Sequence, residues 1–439
     1  MKKVLVLGAG MVSQPLVHYL LGKGFAITLC DMNSQRAAEV IGGHPNGTAL
    51  GLDITKEARV IELVCDADLV ISLLPPPLHP KIARYALDAG KNFLTASYLT
   101  PELEAMQEEV LKKGLIFLNE VGLDPGLDHM TAMEMIDDFG SQGFEILGFD
   151  SHCGGIPSQR AANNPLRYKL SWSPAGVLGA ITRASRFRRE GALVEVPGEN
   201  KLRHAEVLHI PGAGIFESNP NADSLYYGER YGLQNADTVR RGTLRYPGWA
   251  QFWLFMISLG MVGREPEMAF DDEQALDALF KLGGKEPPVD IYSFVAEQAE
   301  AHASVHLEAM ESLGLLNPAS RVSGTHSAFS IMLDRMQATM QYRKDERDLV
   351  LLHHEFVACK DGKKVKWTST LMREGDEEGT AMAFLVGIPA GIAARLILEE
   401  RISARGVMIP LDKEIYEPLL AELTELGLPH EIQKNPLSE

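Results

Sequence analysis

Apolar runs alternate with helical spacing of apolar residues over the first 120 positions. Residues 4–7 form an apolar run that ends in a glycine turn, and residues 12–24 then place apolar side chains at helical spacing. Further strand-like runs follow at 25–31, 67–75, 91–98 and 115–122, with helical patterns at 79–90 and 101–114. Repeated strand–helix units predict an α/β fold with a doubly wound parallel sheet.

The first turn carries a glycine fingerprint. Gly8 and Gly10 match the first two glycines of GxGxxG, Ser13 stands at the third, and the next strand pattern ends at Asp31. In such a unit the glycines let the backbone approach a pyrophosphate, the helix N-terminus faces its charge, and the acid takes the ribose hydroxyls. This order predicts a dinucleotide-binding (Rossmann) domain. Asp31 would repel a 2′-phosphate and favours NAD over NADP, although Arg36 follows closely.

Each later strand of this sheet also ends in a candidate contact. Ligands of doubly wound sheets bind beyond the carboxyl ends of the strands. The sequence VGLDPGLDHM, residues 121–130, follows the last of these strands and carries Asp124. We therefore interpret Asp124 as a functional acid. Asp128 and His129 are interpreted as the start of the next helix, where an acid is favourable.

From about residue 126 the pattern changes to strands linked by irregular polar segments, typical of a mixed sheet. Residues 248–342 are mostly helical by periodicity, and residues 348–372 indicate a hairpin around Asp361 and Gly362. The small-residue helix at 386–400 is expected to pack closely on a sheet. We expect the chain to leave the first domain and to return to it.

Composition narrows the class of protein. The 439 residues contain 42 Lys and Arg against 59 Asp and Glu, a net charge of −17. A strong negative field disfavours nucleic acid and anionic membranes as partners. The apolar run at the N-terminus is too short for a signal peptide, and no uninterrupted apolar stretch reaches membrane-span length. A cytoplasmic protein with a small-molecule substrate is expected.

Cysteine and histidine positions do not indicate a metal site. The four cysteines show no CxxC spacing, and His353 and His354 would point to opposite faces of a strand. Two basic segments matter more: residues 240–246 supply Arg240, Arg241 and Arg245, and residues 163–169 supply Arg167 and Lys169. Such clusters in an acidic protein suggest carboxylate recognition, with solvated surface charge as the alternative.

Together these motifs resemble one family. GAGMVSQPL, DLVISLLP, TASYLTP, GLDPGLDHM, CGGIP, NNPLRYKLSWSPAGVL, RGTLRYPG and VGIPAGIA occur in the order found in the L-glutamate-forming saccharopine dehydrogenases, also called saccharopine reductases. The resemblance implies hydride transfer from the carbon beside the secondary amine of saccharopine to a nicotinamide. Hydrolysis of the resulting imine then gives L-glutamate and 2-aminoadipate 6-semialdehyde, a step of lysine metabolism.

The resemblance also implies domains and a homodimer. A dinucleotide-binding domain would comprise residues 1–125 and about 386–439, and a mixed-sheet domain for substrate and dimerisation about 126–247 and 343–385. A helical domain would comprise about 248–342.

Carried over to this chain, the resemblance implies site residues of three kinds. The catalytic candidates are Asp124 and Tyr98. The substrate contacts would be Ser97, Tyr98, Asp124, Thr243, Leu244 and Arg245. The cofactor contacts would be Gly8, Gly10, Met11, Val12, Ser13, Asp31, Asp53, Ile54, Leu73, Ala96, Leu123, Asp124, Pro125 and Ser173.

One departure bears on the substrate. The family motif PNRDS reads PNADS here, so Ala222 replaces an arginine expected to hold a substrate carboxylate. Loss of such a buried contact costs about 2–5 kcal/mol unless another basic residue, such as Arg230, replaces it. A carboxynorspermidine-type dehydrogenase and a non-catalytic NAD-binding regulator are the alternatives. The basic segments RRGTLRY and NNPLRYK favour saccharopine, which is a triacid, over carboxynorspermidine. The presence of Asp31, Tyr98 and Asp124 argues against a non-catalytic regulator.

Overall fold

The computed structural model describes residues 1–436. The chain forms two compact units: one contains Met1–Glu145 and Asp376–Gln433, and the other contains Ile146–Gly375 with residues 434–436. The first part of the chain forms β1 (Lys3–Leu7), α1 (Ser13–Gly22), β2 (Ala26–Asp31), α2 (Ser34–Ile41), β3 (Gly47–Gly51), α3 (Glu57–Asp66), β4 (Leu69–Ser72), α4 (His79–Asp88), β5 (Asn92–Leu94), α5 (Pro101–Glu104), α6 (Gln107–Lys112), β6 (Ile116–Leu118) and α7 (Leu127–Ser141).

The remaining elements continue in chain order. They are β7 (Glu145–Pro157), α8 (Pro174–Ile181), β8 (Ser185–Arg189), β9 (Ala192–Val196), β10 (Glu206–Ile210), β11 (Gly214–Pro220), α9 (Ser224–Arg230), β12 (Thr238–Arg245), α10 (Trp249–Ser258), β13 (Glu267–Gln274), α11 (Ala275–Leu282), α12 (Ile291–Ala299), α13 (Ala303–Ser312), β14 (Arg321–Ser327), α14 (Ala328–Thr339), β15 (Asp348–Lys360), β16 (Lys363–Glu374), α15 (Ala381–Leu398), β17 (Gly406–Met408), α16 (Lys413–Glu425) and β18 (Glu431–Pro436).

The first unit is a doubly wound parallel sheet, as the strand–helix alternation predicts. Its strand order is β17-β6-β5-β4-β1-β2-β3, and these pairings are parallel. The direction of winding reverses between β1 and β4, and a crevice for ligands forms at such a switch point. Leu5, Val70, Phe93 and Phe117 are buried in its core. The α/β prediction is confirmed.

Helix α15 completes this unit by packing mainly on helix α1, and it also contacts strand β5 of the sheet. A Cβ atom added at Gly387 would lie 2.9 Å from the Val12 carbonyl oxygen, and one at Gly391 would lie 2.8 Å from the Tyr19 ring. Glycine at both positions therefore lets the two helix backbones approach closely. Helix α15 is long and apolar enough to cross a membrane, with a mean hydropathy of 2.0, but 83% of it is buried, as in a core helix.

The second unit is built on a mixed sheet. Strand β12 pairs with β7 in parallel and with β11 in antiparallel orientation, and β15 and β16 form an antiparallel hairpin that turns at Asp361 and Gly362. A largely helical segment follows β12 in the chain, and its buried aromatic residues include Trp253 and Phe280. The segment also contains the antiparallel pair of β13 and β14, which helical periodicity did not predict. The mixed-sheet prediction is confirmed, whereas the three-domain division stays a prediction.

Candidate active site

The turn after β1 has the backbone geometry that a nucleotide requires. Gly8 has a φ of +107°, and a Cβ atom there would lie 2.8 Å from the Leu73 carbonyl oxygen, so only glycine fits. Helix α1 begins at Ser13 without a side-chain N-cap, and the Ser13 hydroxyl instead donates to the Gly10 carbonyl at 2.9 Å. The N-terminus of α1 thus follows the glycine turn, as in dinucleotide sites, although the Ser13 N–H already donates to the Gly10 carbonyl at 3.3 Å and Pro15 has no N–H.

Asp31 ends β2, and its carboxylate accepts two backbone hydrogen bonds. Ala9 N–H donates to Oδ2 and Asn33 N–H donates to Oδ1, both at 2.8 Å. Asp31 thus ties the glycine turn to the loop that enters α2. This structural role is by itself a reason for an acid at the end of β2, and each oxygen retains a further lone pair for a ligand.

The other predicted cofactor residues of this unit lie after parallel strands. Asp53 and Ile54 follow β3, and the Asp53 carboxylate accepts from both the backbone N–H and the hydroxyl of Thr55, which lowers its pKa. Leu73 follows β4, Ala96 follows β5, and Leu123–Pro125 follow β6. Because these strands are parallel neighbours, the predicted positions share one edge of the sheet.

The two catalytic candidates meet at this edge. Tyr98, after β5, donates its phenolic hydrogen to Oδ1 of Asp124, after β6, at 2.8 Å. Both side chains are half-buried. A carboxylate held by a phenol is suited to accept or return a proton. Ser97, the neighbouring substrate candidate, is also half-buried at the same edge.

A buried acid holds the backbone on both sides of Tyr98. The Glu120 N–H donates to the Ser97 carbonyl at 3.1 Å, and the Glu120 carboxylate accepts from Leu99 N–H at 2.8 Å. Its second oxygen is 2.7 Å from Nε2 of His129. Glu120 is fully buried at a φ of +58°, an uncommon backbone conformation that accompanies function in many proteins.

The loop that carries Asp124 closes on itself. Leu127 N–H donates to the Gly122 carbonyl at 2.9 Å, and Gly126 N–H donates to Oδ1 of Asp128 at 2.6 Å. Helix α7 begins at Leu127, so Asp128 and His129 do start a helix. They are nevertheless buried, and they connect the loop to Glu120 instead of facing solvent.

Sequence reasoning did not select Glu120 or His79 as site residues. His79 starts α4 and lies within 2.8 Å of Oγ of Ser97, although 17 residues separate them in the chain. The sequence signal that could have identified Glu120 is its position, as a charged residue directly after an apolar strand. Such a signal does not identify the residues to which the side chain bonds, because they come from other parts of the chain.

In the second unit, Arg245 ends β12 as a buried cation. Its guanidinium donates to the Leu244 carbonyl at 2.7 Å and lies over the rings of Tyr168 (4.7 Å) and Trp249 (5.3 Å). Among the side chains that the structure describes, no carboxylate lies within ion-pair distance of it. A buried cation without an acid is costly, so an anionic ligand would stabilise it.

The other predicted residues of the second unit occupy separate positions. Thr243 and Leu244 precede Arg245 in β12, and exposed Ser173 caps α8 by accepting from Gly176 N–H at 3.2 Å. Ala222, at the position of the family arginine, has a φ of +46°, and Arg230 lies 4.3 Å from the Tyr226 ring. Among the described side chains, no group of three His, Cys, Asp or Glu is placed to hold a metal.

Comparison with known proteins agrees with the motif order. Residues 4–118 match the family domain described as the saccharopine dehydrogenase NADP binding domain, and residues 122–428 match the saccharopine dehydrogenase C-terminal domain. The chain is 34% identical to "Saccharopine dehydrogenase [NADP(+), L-glutamate-forming]" of Schizosaccharomyces pombe, over 98% of each chain. It is 37% identical to the mitochondrial alpha-aminoadipic semialdehyde synthase of Bos taurus, over 98% of this chain and 48% of that protein.

These matches correct the predicted cofactor. The preference for NAD is wrong, because the matching domain is described as NADP binding and the fungal relatives are named as NADP(+) enzymes. The error came from reading Asp31 as a sign of a free ribose 2′-hydroxyl. Its two oxygens already accept the amides of Ala9 and Asn33, so its presence does not report on the 2′ position.

The fold has a solved counterpart. The apo saccharopine dehydrogenase (L-Glu forming) of Saccharomyces cerevisiae superposes with a TM-score of 0.84 at 29% identity, over 99% of this chain and 100% of that one. The fold, the glycine turn and the two family domains all indicate the same family, and the domain matches extend over nearly the full length of this chain. The chain therefore belongs to the saccharopine dehydrogenase family of oxidoreductases.

Proposed function

We propose that this protein is an NADP⁺-dependent, L-glutamate-forming saccharopine dehydrogenase. It would oxidise the secondary amine of saccharopine to an imine, whose hydrolysis gives L-glutamate and 2-aminoadipate 6-semialdehyde. The observation that carries the proposal is the hydrogen-bonded pair of Tyr98 and Asp124 at the strand edge that also carries the glycine turn. The name of the S. pombe relative supports the same substrate and cofactor.

The glycine turn and the N-terminus of α1 fit a dinucleotide, and the bound nicotinamide would accept the hydride. The proposed cofactor contacts in this unit are Gly8, Gly10, Met11, Val12, Ser13, Asp31, Asp53, Ile54, Leu73, Ala96, Leu123, Asp124 and Pro125. Helix α2 has no acid in its first turn, and Arg36 lies there in an exposed 3.5 Å pair with Glu39. Exposed pairs are weak, so Arg36 can turn to a 2′-phosphate.

A substitution tests this role of Arg36. Arg36→Ala should raise the KM for NADP⁺ about tenfold or more and leave the KM for NAD⁺ nearly unchanged, since a charge-assisted bond contributes about 1.5–3 kcal/mol. Arg59→Ala is the matched control, because Arg59 forms a similarly exposed pair with Glu62 on α3. Equal effects on the two cofactors would exclude a contact of Arg36 with the 2′-phosphate.

Asp124 is the proposed general base, with Tyr98 fixing its orientation. The carboxylate would take the amine proton and later assist the attack of water on the imine. Asp124→Asn should therefore lower kcat about 10²–10⁴-fold, whereas Tyr98→Phe should lower it less. A kcat for Asp124→Asn within a factor of three of the wild-type value would refute the base role.

Recognition of the substrate carboxylates is proposed for Arg245, with Thr243 and Leu244 beside it in β12. Arg245 supports this role because it is buried and has no acidic partner among the described side chains. Ser173 is a proposed cofactor contact of the same unit. Ala222 favours a substrate with fewer carboxylates, such as carboxynorspermidine, which is therefore the second substrate to assay.

Purified protein should reduce NADP⁺ when saccharopine is added, and the Asp124→Asn variant is the matched negative control. Turnover of carboxynorspermidine without turnover of saccharopine would replace the proposed substrate. A cytoplasmic location and a homodimer are further proposals. Fractionation of cells and light scattering of the purified protein test them.

A further inference from the structure

A buried histidine connects two serine hydroxyls at the edge of the first unit's sheet. Nδ1 of His79 is 2.8 Å from Oγ of Ser72, and Nε2 is 2.8 Å from Oγ of Ser97. His79 and Ser72 have no exposed surface, whereas Ser97 is half-buried. His79 therefore fixes the hydroxyl of Ser97, which is a proposed substrate contact. His79 itself lies in the middle of this chain of hydrogen bonds and not at its substrate-facing end.

The surrounding backbone holds this chain in place. Thr95 donates its hydroxyl to the Ser72 carbonyl at 2.9 Å and accepts from Ser97 N–H at 3.2 Å. Glu120 N–H donates to the Ser97 carbonyl. Both ends of the Ser72–His79–Ser97 chain are thus anchored, and the remaining freedom lies in the hydrogen positions.

Ser72, at the buried end of the chain of hydrogen bonds, determines where the hydrogens lie. Among the groups that the structure describes, the hydroxyl of Ser72 has no hydrogen-bond partner other than His79. If Nδ1 carried the hydrogen, the Ser72 hydroxyl would be left as a buried donor without an acceptor, which proteins avoid more strictly than an unused lone pair. Ser72 must therefore donate to Nδ1, and the ring hydrogen must be on Nε2.

The imidazole stays neutral under physiological conditions, so one tautomer is retained. Burial lowers the pKa of His79 to about 4. His79 is also the first residue of α4, and the positive end of a helix dipole disfavours an imidazolium there. A neutral ring has one donor and one acceptor nitrogen, which gives the chain of hydrogen bonds a single direction.

We propose that His79 is a positioning residue that makes Ser97 a hydrogen-bond donor to a carboxylate of the substrate. Nε2–H donates to Oγ of Ser97, so the Ser97 hydrogen points away from His79. Described residues supply no other acceptor for it. Aligned hydrogen bonds strengthen one another, so a carboxylate oxygen would meet a polarised donor. The carboxylate as the acceptor rests on the proposed function.

The first test reads the tautomer without substrate. Nitrogen-15 NMR of histidine-labelled protein at pH 7, with the His79 signals assigned by their loss in His79→Gln, should show a protonated Nε2 and an unprotonated Nδ1. A protonated Nδ1, or two protonated nitrogens, would overturn the proposal. If His79 is protonated at Nε2 but the protein does not turn over saccharopine, the direction of the hydrogen bonds is supported and the proposed function is refuted.

The second test is kinetic. Ser97→Ala and His79→Leu should each raise the KM for saccharopine about tenfold, since a hydrogen bond to a charged group contributes about that factor, and the double variant should be little worse than either one. His79→Gln, which retains an N–H donor, should recover part of the loss. The KM for NADP⁺ should not change, which a general loss of folding would not produce. A large effect of Ser97→Ala with none of His79→Leu would overturn the proposal.

Discussion

Gly126 gives the sharpest structural test of the loop that carries Asp124. A Cβ atom at this position would lie 2.2 Å from the Gly122 oxygen, 2.3 Å from its nitrogen and 2.4 Å from its carbonyl carbon. These are backbone atoms within one closed loop, so the clash cannot be relieved by rotating a side chain. The φ of +146° adds strain for any residue with a side chain.

Gly126→Ala should therefore lower the free energy of unfolding by about 2–5 kcal/mol, combining about 1–2 for the backbone conformation and about 1–3 for the overpacking. Gly90→Ala is the matched control, because Gly90 has a φ of +67° and a Cβ atom added there would meet open space. It should cost only the conformational part, about 1–2 kcal/mol.

Urea unfolding of both variants measures this difference, and turnover of saccharopine measures its consequence. Moving the loop shifts Asp124, and a displacement of about 1 Å at a reacting group can cost about 10²-fold in rate. Gly126→Ala should thus lose most activity while Gly90→Ala keeps it. Equal stability and full activity of the two variants would refute the reasoning about the closed loop.

Three further predictions follow from buried groups. Glu120→Ala removes the acceptor of one buried and one partly buried hydrogen bond and should lower the free energy of unfolding in urea by about 2–4 kcal/mol, whereas the exposed control Glu62→Ala should change it by less than about 0.5 kcal/mol. The pKa of His79 is lowered from 6.5 to about 4. As the pH falls, this histidine therefore takes up a proton in the unfolded chain before it does so in the folded protein. Stability present above pH 6.5 should therefore fall by about 3 kcal/mol as the pH drops to about 4, and His79→Gln should lack that part of the slope in urea titrations across this range. Arg245→Met should raise the KM for saccharopine at least about 30-fold, the equivalent of about 2 kcal/mol, and an unchanged KM would exclude a carboxylate contact.

The sequence predicted the features that depend on local chain geometry. Gly8 and Gly10 after an apolar strand indicate a nucleotide turn, and at Gly8 only glycine adopts the backbone that the structure shows against Leu73. The turn at Asp361 and Gly362 was predicted for the same reason. The rule that neighbouring parallel strands end at one edge predicted that Tyr98 and Asp124 share that edge, but not the hydrogen bond between them.

Features that depend on tertiary partners were not predictable in this way. Asp31 ends its strand in the position of a ribose ligand, but its oxygens also accept the amides of Ala9 and Asn33, so an acid there does not distinguish NAD from NADP. Small residues in α15 predicted close packing but not its partner, helix α1. Glu120 and His79 act through side chains on other strands and helices, and periodicity carries no information about such contacts.

The most direct test of the account is NADPH formation by the purified protein with saccharopine, followed in parallel with NADP⁺ and NAD⁺ and repeated with the Asp124→Asn variant. We expect turnover with NADP⁺, a higher KM for NAD⁺, and loss of turnover in the variant. Absence of saccharopine oxidation with either cofactor, in a protein that is folded and binds NADP⁺, would contradict the central claim.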